Sequence, residues 1–495
     1  MDTNAYIRQL ETENAQLRQR NEALEKRNEA LEERVAQLGN HIAVLEKHIA
    51  NQDKHIADLE RRLSMNSRNS SKPPSSDPPG AITPPQAKPK AKRGARKGHP
   101  PHLRSLLPPE AVTRRIEVSP KRCPCGSSDL EKTGEEPLRH QVVDIPPIRP
   151  KVVEYVQHKY RCRKCGRLLH QPLPDCIKRR HFGPLLLAVV GILTGLLNTS
   201  KRKALSFINE VCGIPMSLGG LSACEAQISE ALASPHQEVL AYVQGRPIAY
   251  ADETGWPRGN REKGWLWTLC CSKAAAFMVM AGRGQAAARK LLDGFAGILI
   301  TDRWSAYNFF AGLRQLCWAH LKRDFQALSE RGGVLGAIGR KLSALTKRIL
   351  RMHRRARDET LTWRTFRRRI APPMRRVETL LASGAASGEP GSGQCRRVFN
   401  QRRHLWTFAR DEKAEPTNNL AERMVRQAVL WRKGSFGTQS ERGARYVERI
   451  LTVCATCRLQ GRSIIQYLRD ACRCHLDGLD APPLISNTCS LARTA

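Results

Sequence analysis

Hydrophobic positions recur along this chain with several different spacings. In the first stretch, Leu10, Leu17, Leu24, Leu31, Leu38 and Leu45 stand in a heptad series that Leu59 resumes after Gln52. Ile7, Asn14, Asn21, Asn28, Val35, Ile42, Ile49, Ile56 and Leu63 stand three residues before the positions of a parallel heptad series. Leucine at d with Ile, Val or Asn at a predicts a two-stranded coiled coil over residues 1–63, the buried asparagines fixing register at a cost in stability. A lone helix leaves that stripe in water, so the pattern implies self-association, and a heteromeric partner fits it as well.

Periodicity then stops. Residues 64–115 pass through SRNSSKPPSSDPPG and AKPKAKRGARKGHPPHLR, which offer no apolar run and predict a disordered linker whose basic half touches phosphates without reading sequence. Residues 116–178 carry two close cysteine pairs, Cys123 with Cys125 and Cys162 with Cys165. Four thiolates on two turns suit tetrahedral zinc, with His158, His170 and Cys176 as alternatives for one ligand. Between them VVDIPPIRPKVVEYVQHKYRC alternates and turns at proline, which predicts a β-hairpin.

Residues 179–240 read as helices broken at GIPMSLGG. Lys201–Val211, a turn at Gly213–Pro215 and Leu218–Leu232 are compatible with helix-turn-helix DNA binding and equally with a helical bundle. The apolar run PLLLAVVGILTGLL falls short of the roughly 20 residues that a bilayer span needs, so it predicts a buried helix and no membrane partner.

From residue 241 to 328 the spacing becomes that of strands. IAYA ends in the acids Asp252 and Glu253, GWLWTLCC and AAAFMVM follow, Gly284–Leu292 is helical, and GILIT ends in Asp302. Leu316–His320 is a candidate fifth strand. Three strands, a helix and a fourth strand predict an RNase H-like α/β sheet in which Asp252 and Asp302 lie side by side. Acids at the carboxyl ends of such strands stand where open α/β sheets place ligands.

Residues 329–411 are helical and densely basic, with a Gly/Ser-rich break at Ser383–Gly393. Arg348, Arg351, Arg354 and Arg355 share one helix face and repel each other without a counter-anion. Residues 412–475 begin with EPTNNLAERMVRQAVL, a helix that Thr417 or Asn418 can cap and that presents Glu422 between Arg423 and Arg426. Cys454, Cys457, Cys472 and Cys474 lie in helical sequence and read as core thiols, and residues 476–495 form a tail.

Charge sharpens the picture. Lys and Arg number 83 against 46 Asp and Glu, a formal charge of +37. Such an excess predicts a polyanion partner, and DNA is the natural one. Sixteen cysteines in 495 residues, two pairs of them with metal-ligand spacing, predict a reducing compartment. With no apolar segment in MDTNAYIRQL, the expectation is a cytoplasmic, nucleoid-associated protein.

The leucine-rich coil, NSSKPPSSD, the paired cysteines, ADETGW, TDRWSAY, CWAHLKRDF and NNLAER followed by RKGSFG occur together and in order. In that combination the chain resembles transposases of the insertion-sequence-sixty-six family, of the TnpC type. The resemblance covers nearly the whole chain, from about residue 5 to about 470. It departs from the pattern in the first cysteine pair, which is C-x-C.

The resemblance implies a catalytic triad of Asp252, Asp302 and Glu422, with a helical insertion between the last strand and the catalytic helix. It implies Mg²⁺ or Mn²⁺ on the three carboxylates, and structural zinc on Cys123, Cys125, Cys162 and Cys165. The expected reaction is cleavage of DNA at the element's ends followed by strand transfer. Arg426 and Lys433, with His320 and Arg323, are candidates to position phosphates, beside the face of Arg348, Arg351, Arg354 and Arg355. Expected partners are transposon-end and target DNA, a second copy through the coil, and accessory proteins of the same element. Two other classes remain: a DNA-binding regulator, and an RNase H-like nuclease without strand transfer.

Overall fold

A computed structural model describes residues 3–64, 104–178, 180–259 and 262–485. The linker reading falls mostly outside these residues, as does the end of the tail. In chain order the elements are α1 (Thr3–Ser64), β1 (Lys159–Arg161), β2 (Leu168–His170), α2 (Asp175–Lys178), α3 (Pro184–Gly191), α4 (Lys201–Cys212), α5 (Leu218–Ala231) and α6 (Ala233–Gln244). There follow β3 (Ile248–Gly255), β4 (Trp265–Cys270), β5 (Ala275–Met280), α7 (Gln285–Leu291), β6 (Ile298–Thr301), β7 (Arg314–Leu316) and α8 (Trp318–Ser329). The chain closes with α9 (Gly333–Arg357), α10 (Trp363–Ala386), α11 (Ser392–Asn400), α12 (Thr407–Arg410), α13 (Asn419–Ser435), α14 (Glu441–Gln460) and α15 (Ile464–Leu476). This is a mixed α/β protein, and among the described residues no helix is long and apolar enough to cross a membrane.

The chain divides into two units, Met1–Ala81 with His320–Arg402 and Ile82–Ala319 with Arg403–Ala495. In the first, α1 runs unbroken for 62 residues. Its stripe is open to water: Leu24 is 49 % exposed and Ile42 55 %. Helices α9, α10 and α11 pack on one another. Leu342, Ile349 and Ala356 of α9 are buried, as are Phe366, Ile370 and Val377 of α10. Glu389 accepts from the free main-chain N–H groups of Val334 and Leu335, both at 3.2 Å, and so closes the start of α9. The predicted break shortens to the few residues between α10 and α11, because Leu380, Leu381 and Gly384 are buried and hold α10 together to Ala386.

In the second unit the sheet order is β5-β4-β3-β6-β7. Strands β3, β4 and β5 pair antiparallel, whereas β3, β6 and β7 pair parallel. Gly297 permits the close start of β6 beside β3, since a Cβ there would lie 2.5 Å from the Pro247 carbonyl oxygen. Both margins of the sheet are closed by side chains. Along β5 the N–H groups of Ala275, Phe277 and Val279 donate to Thr456, Thr452 and Glu448 of α14 at 3.2, 3.0 and 2.6 Å. Along β7, Gln315 accepts from the Phe408 N–H at 2.8 Å and donates to the Leu405 carbonyl at 3.1 Å, and the Thr407 hydroxyl donates to the Arg314 carbonyl.

Two expectations change here. The fifth strand is Arg314–Leu316, and the chain leaves the ladder after Cys317. Trp318 spends its N–H on the Pro416 carbonyl and its indole N–H on the Leu405 carbonyl, which turns the backbone into α8. The hairpin of the cysteine module does not lie between the two pairs. Pro146, Pro147 and Pro150 withhold ladder N–H groups there, and the strands β1 and β2 instead flank Cys162 and Cys165. Helices α4 and α5 do follow one another through a turn at Gly213 in the left-handed region, φ +63°. Yet α5 carries Glu225 and Glu230 with no Lys or Arg, and buries Leu221, Cys224 and Ile228. It packs on α3, α14 and α15, as a bundle helix does.

Candidate functional site

The register of β3 and β6 brings the two aspartates level. Tyr250 pairs with Ile300, and each aspartate lies two residues further along its strand. Pleating sends Asp252 and Glu253 to opposite faces. Asp252 remains partly open, as do Asp302 and Glu422, whereas Glu253 is buried. Burial holds the Asp252 carboxyl well above the usual carboxylate range, and the charges of Glu253, Asp302 and Glu422 push the same way. The Glu253 main-chain N–H, 3.0 Å from Asp252 Oδ1, opposes them.

Glu253 is fully occupied elsewhere. Arg283 pairs with its Oε1 at 2.9 Å and the Tyr307 hydroxyl donates to its Oε2 at 2.8 Å. The Arg283 guanidinium lies between the rings of Trp265 and Trp304, 4.6 and 4.1 Å from their centroids. Trp304 in turn fixes Asp302, donating its main-chain N–H to Oδ1 at 2.8 Å. Behind β6 the Arg314 guanidinium is buried, and burial lowers it to about 10 against the support of Asp302.

Glu422 lies in the first turn of α13, which packs on β3 and β4 through Ala421, Val425 and Ala428. Asn418 occupies the position before the helix, but its side chain does not cap it. Its Nδ2 donates instead to the Ala251 carbonyl at 2.8 Å. The far end of α13 is also tied to β3, where Arg432 donates to Thr254 Oγ1 at 3.2 Å. A cleft of about 720 Å³ opens beside Glu422, lined by Tyr250, Ser272, Glu415, Arg423 and Arg426. Arg426 and Lys433 are exposed on α13, and Arg348, Arg351, Arg354 and Arg355 are exposed on α9.

In the cysteine module each pair forms a turn. Gly126 N–H donates to the Cys123 carbonyl and Gly166 N–H to that of Cys162, both at 2.8 Å, and both glycines have positive φ. The Cys125 thiol is lowered by the Ser127 main chain and by Cys123; that of Cys162 is lowered by the Cys165 and Lys164 main chain and by the Cys165 thiol. Such polarised thiols are metal-ligand chemistry. The structure pairs them two by two and does not bring three of the four within ligand distance of one another. By contrast, burial raises Cys454 and Cys472 to about 12 and Cys457 to about 11, and these are core thiols.

Comparison with known families decides the lineage. The family described as "Transposase IS66 family" matches residues 201–446, and "zinc-finger binding domain of transposase IS66" matches residues 120–166, which contain all four cysteines. This chain belongs to the IS66 transposase family. A family of unknown function, DUF6444, matches residues 2–105. Three relatives come from Sinorhizobium fredii (strain NGR234). The chain is 25 % identical to "Uncharacterized protein y4hP" over 411 residues, 74 % of this chain and 73 % of the relative. It is 26 % identical to y4qI over 421 residues, 77 % and 74 % of the two chains, and 22 % identical to y4jD over 386 residues, 72 % and 75 %. Membership brings with it a zinc-binding domain and a role in handling DNA.

Sequence reading overlooked several residues that shape this site: Arg283, Trp304, Cys317 and the true work of Asn418. Trp304, Cys317 and Asn418 stood in recognisable motifs, TDRWSAY, CWAHLKRDF and PTNNLAER, but without a role of their own. Arg283 is a single residue outside them.

Proposed function

We propose that this protein cleaves DNA at the ends of an insertion sequence and joins them to target DNA, using Asp252, Asp302 and Glu422. One observation carries the reading. Carboxylates from two adjacent parallel strands and one helix come near enough to feel each other, for Asp252, raised first by burial, is raised further by the charges of Glu253, Asp302 and Glu422. The sheet supports it, because three antiparallel strands followed by two parallel ones is the RNase H-like order, with acids on the first and fourth strands.

The donor set fits divalent Mg²⁺ or Mn²⁺. Hard oxygen ligands suit these ions, and mutually repelling, partly open carboxylates are stabilised by a cation. Asp252, Asp302 and Glu422 would hold such ions, whose chemistry would be activation of a nucleophile and stabilisation of a departing 3′ oxygen. The reaction is hydrolysis of the phosphodiester at the element's end, which frees a 3′ hydroxyl, then attack of that hydroxyl on a target phosphodiester. Asp252 and Asp302 hold the shared centre, and Glu422 completes it from α13. Trp304 orients Asp302, and the Arg283–Glu253–Tyr307 cluster keeps the second acid of β3 away from the centre. Arg426, Lys433 and the α9 arginines bind phosphates. Zinc sits on Cys123, Cys125, Cys162 and Cys165, and α1 pairs with a second copy as a coiled coil.

The test is a cleavage and joining assay on the element's own ends with Mg²⁺, run beside gel-shift titrations. Asp252→Asn, Asp302→Asn and Glu422→Gln each lose cutting and joining but keep DNA affinity. Cutting by Asp302→Asn would overturn the assignment, and nicked DNA without joined products would make the protein a nuclease.

A further inference from the structure

The segments that carry the three acids are knotted together just behind them. The Cys317 N–H donates to the carbonyl of Thr301, the residue before Asp302, at 2.9 Å. Cys317 Sγ accepts from the main-chain N–H of Asn418 at 3.1 Å and lies 3.9 Å from Glu422 Oε1. Asn418 Nδ2 reaches the carbonyl of Ala251, the residue before Asp252, at 2.8 Å. A second link, from the Trp318 N–H to the Pro416 carbonyl at 2.8 Å, runs beside the first. Cys317 and Asn418 are both wholly buried.

We infer that Cys317 and Asn418 are positioning residues that set the spacing of Asp252, Asp302 and Glu422 for divalent-metal binding. The inference rests on the reading of those acids given above. Each feature of the knot goes beyond what folding alone requires. Asn418 stands where a side chain ordinarily accepts from the helix N–H groups, yet it gives up that bond for Ala251. Its Oδ1 has no hydrogen-bond partner among the described residues, so a single directional contact justifies a buried amide. The amide can face Ala251 only with its donor end, so that contact sets the distance from α13 to the end of β3. At residue 317 a thiol is large enough to meet the Asn418 N–H and Glu422 together, and an apolar side chain of the same size would meet neither. A ligand cage held from behind in this way loses about 10–100-fold in metal affinity when a supporting residue is removed.

The experiment is a calorimetric titration of the zinc-loaded full chain with Mn²⁺, together with cleavage assays at graded Mn²⁺, gel-shift titrations and thermal melts in chelator. Asn418→Ala and Cys317→Ala weaken Mn²⁺ binding about 10–100-fold and raise the Mn²⁺ needed for half-maximal cutting by the same factor. DNA affinity stays near that of the parent, and metal-free melting falls only by the few degrees that losing a buried hydrogen bond costs. Cys317→Ser, which keeps a hydroxyl acceptor for the Asn418 N–H, recovers most of the loss. Parental Mn²⁺ affinity in a folded Asn418→Ala protein overturns the inference. If that variant fails to fold, the cysteine pair decides: equal affinity in Cys317→Ala, Cys317→Ser and the parent overturns it as well. Asp252→Asn is the reference. If it binds Mn²⁺ and cuts like the parent, the reading of the acids has failed, and this inference with it.

Discussion

Asp252 and Asp302 stand level on neighbouring parallel strands, each two residues beyond the Tyr250–Ile300 pairing. Parallel strands that end together bring like charges close, and each carboxylate is held through its Oδ1, Asp252 by the Glu253 N–H and Asp302 by the Trp304 N–H. Asp252 registers the strain as a raised proton affinity, caused first by burial and then by its acidic neighbours.

That shift has a sign. A carboxyl bound more tightly to its proton in the folded chain stabilises the fold at low pH, and the contribution disappears as pH rises through its raised value. At neutral pH in chelator, Asp252→Asn therefore melts a few degrees above the parent, and the gap narrows toward the ordinary carboxylate range of about 4. Mn²⁺ raises the parent's midpoint and leaves the variant's unchanged. Thermal scans from acid to neutral pH check both statements, and a variant less stable than the parent at every pH contradicts them.

Burial and the Asp302 charge also raise Glu253, the next residue, but Tyr307 and Arg283 oppose them and hold its carboxylate in place. Its side chain is 1 % exposed and bound to Arg283 and Tyr307. Glu253→Gln keeps one acceptor and loses the charge that Arg283 faces, at a cost of about 1–3 kcal/mol. Its midpoint falls, while Mg²⁺-dependent cutting persists at a substantial fraction of the parental rate. Cutting as fully lost as in Asp252→Asn would mean that both acids of β3 serve the centre.

The α9 arginines are exposed on a helix whose other face is buried. Replacing Arg351, Arg354 and Arg355 by glutamine weakens binding to all DNA sequences alike. The slope of log affinity against log salt becomes shallower by up to about three units. A salt series of gel shifts measures it, and an unchanged slope would leave these residues a solvated face.

Removing residues 1–63 converts an oligomer to a monomer in light scattering, because the Leu and Ile stripe of α1 has no partner within its own helix. The remaining chain keeps its far-ultraviolet circular dichroism per residue in the shorter protein's proportion of helix and sheet. An unchanged oligomer number would place the contact elsewhere.

Periodic features were legible in the sequence and solitary ones were not. The heptads gave α1, and apolar runs ending in acids gave β3, β6 and the level pairing of Asp252 with Asp302. Thr417 and Asn418 looked like caps because the motif before a helix is statistical, whereas the Ala251 carbonyl that captures Asn418 lies far away in sequence. Cys317 stands in the motif CWAHLKRDF, yet nothing local reveals its role, since its partners Asn418 and Glu422 lie far away in sequence. The hairpin differs from the expectation because proline reads as a turn in an alternating segment, while three prolines so close together also remove the ladder donors that its strands would need. Helix α10 runs through Pro372 and Pro373, which burial of Phe366, Ile370 and Val377 on either side sustains.

The sealed margins of the sheet have a consequence for how copies of this chain can meet. Glu448, Thr452 and Thr456 take the amide donors of Val279, Phe277 and Ala275 on β5; at β7 the Thr407 hydroxyl donates to the Arg314 carbonyl, and the Gln315 side chain holds the Phe408 main chain beside the strand. No β-ribbon can therefore run continuously from one molecule into the next unless α14 or the segment around α12 first lets go. The five-stranded sheet is thereby kept as a private frame for its own carboxylates.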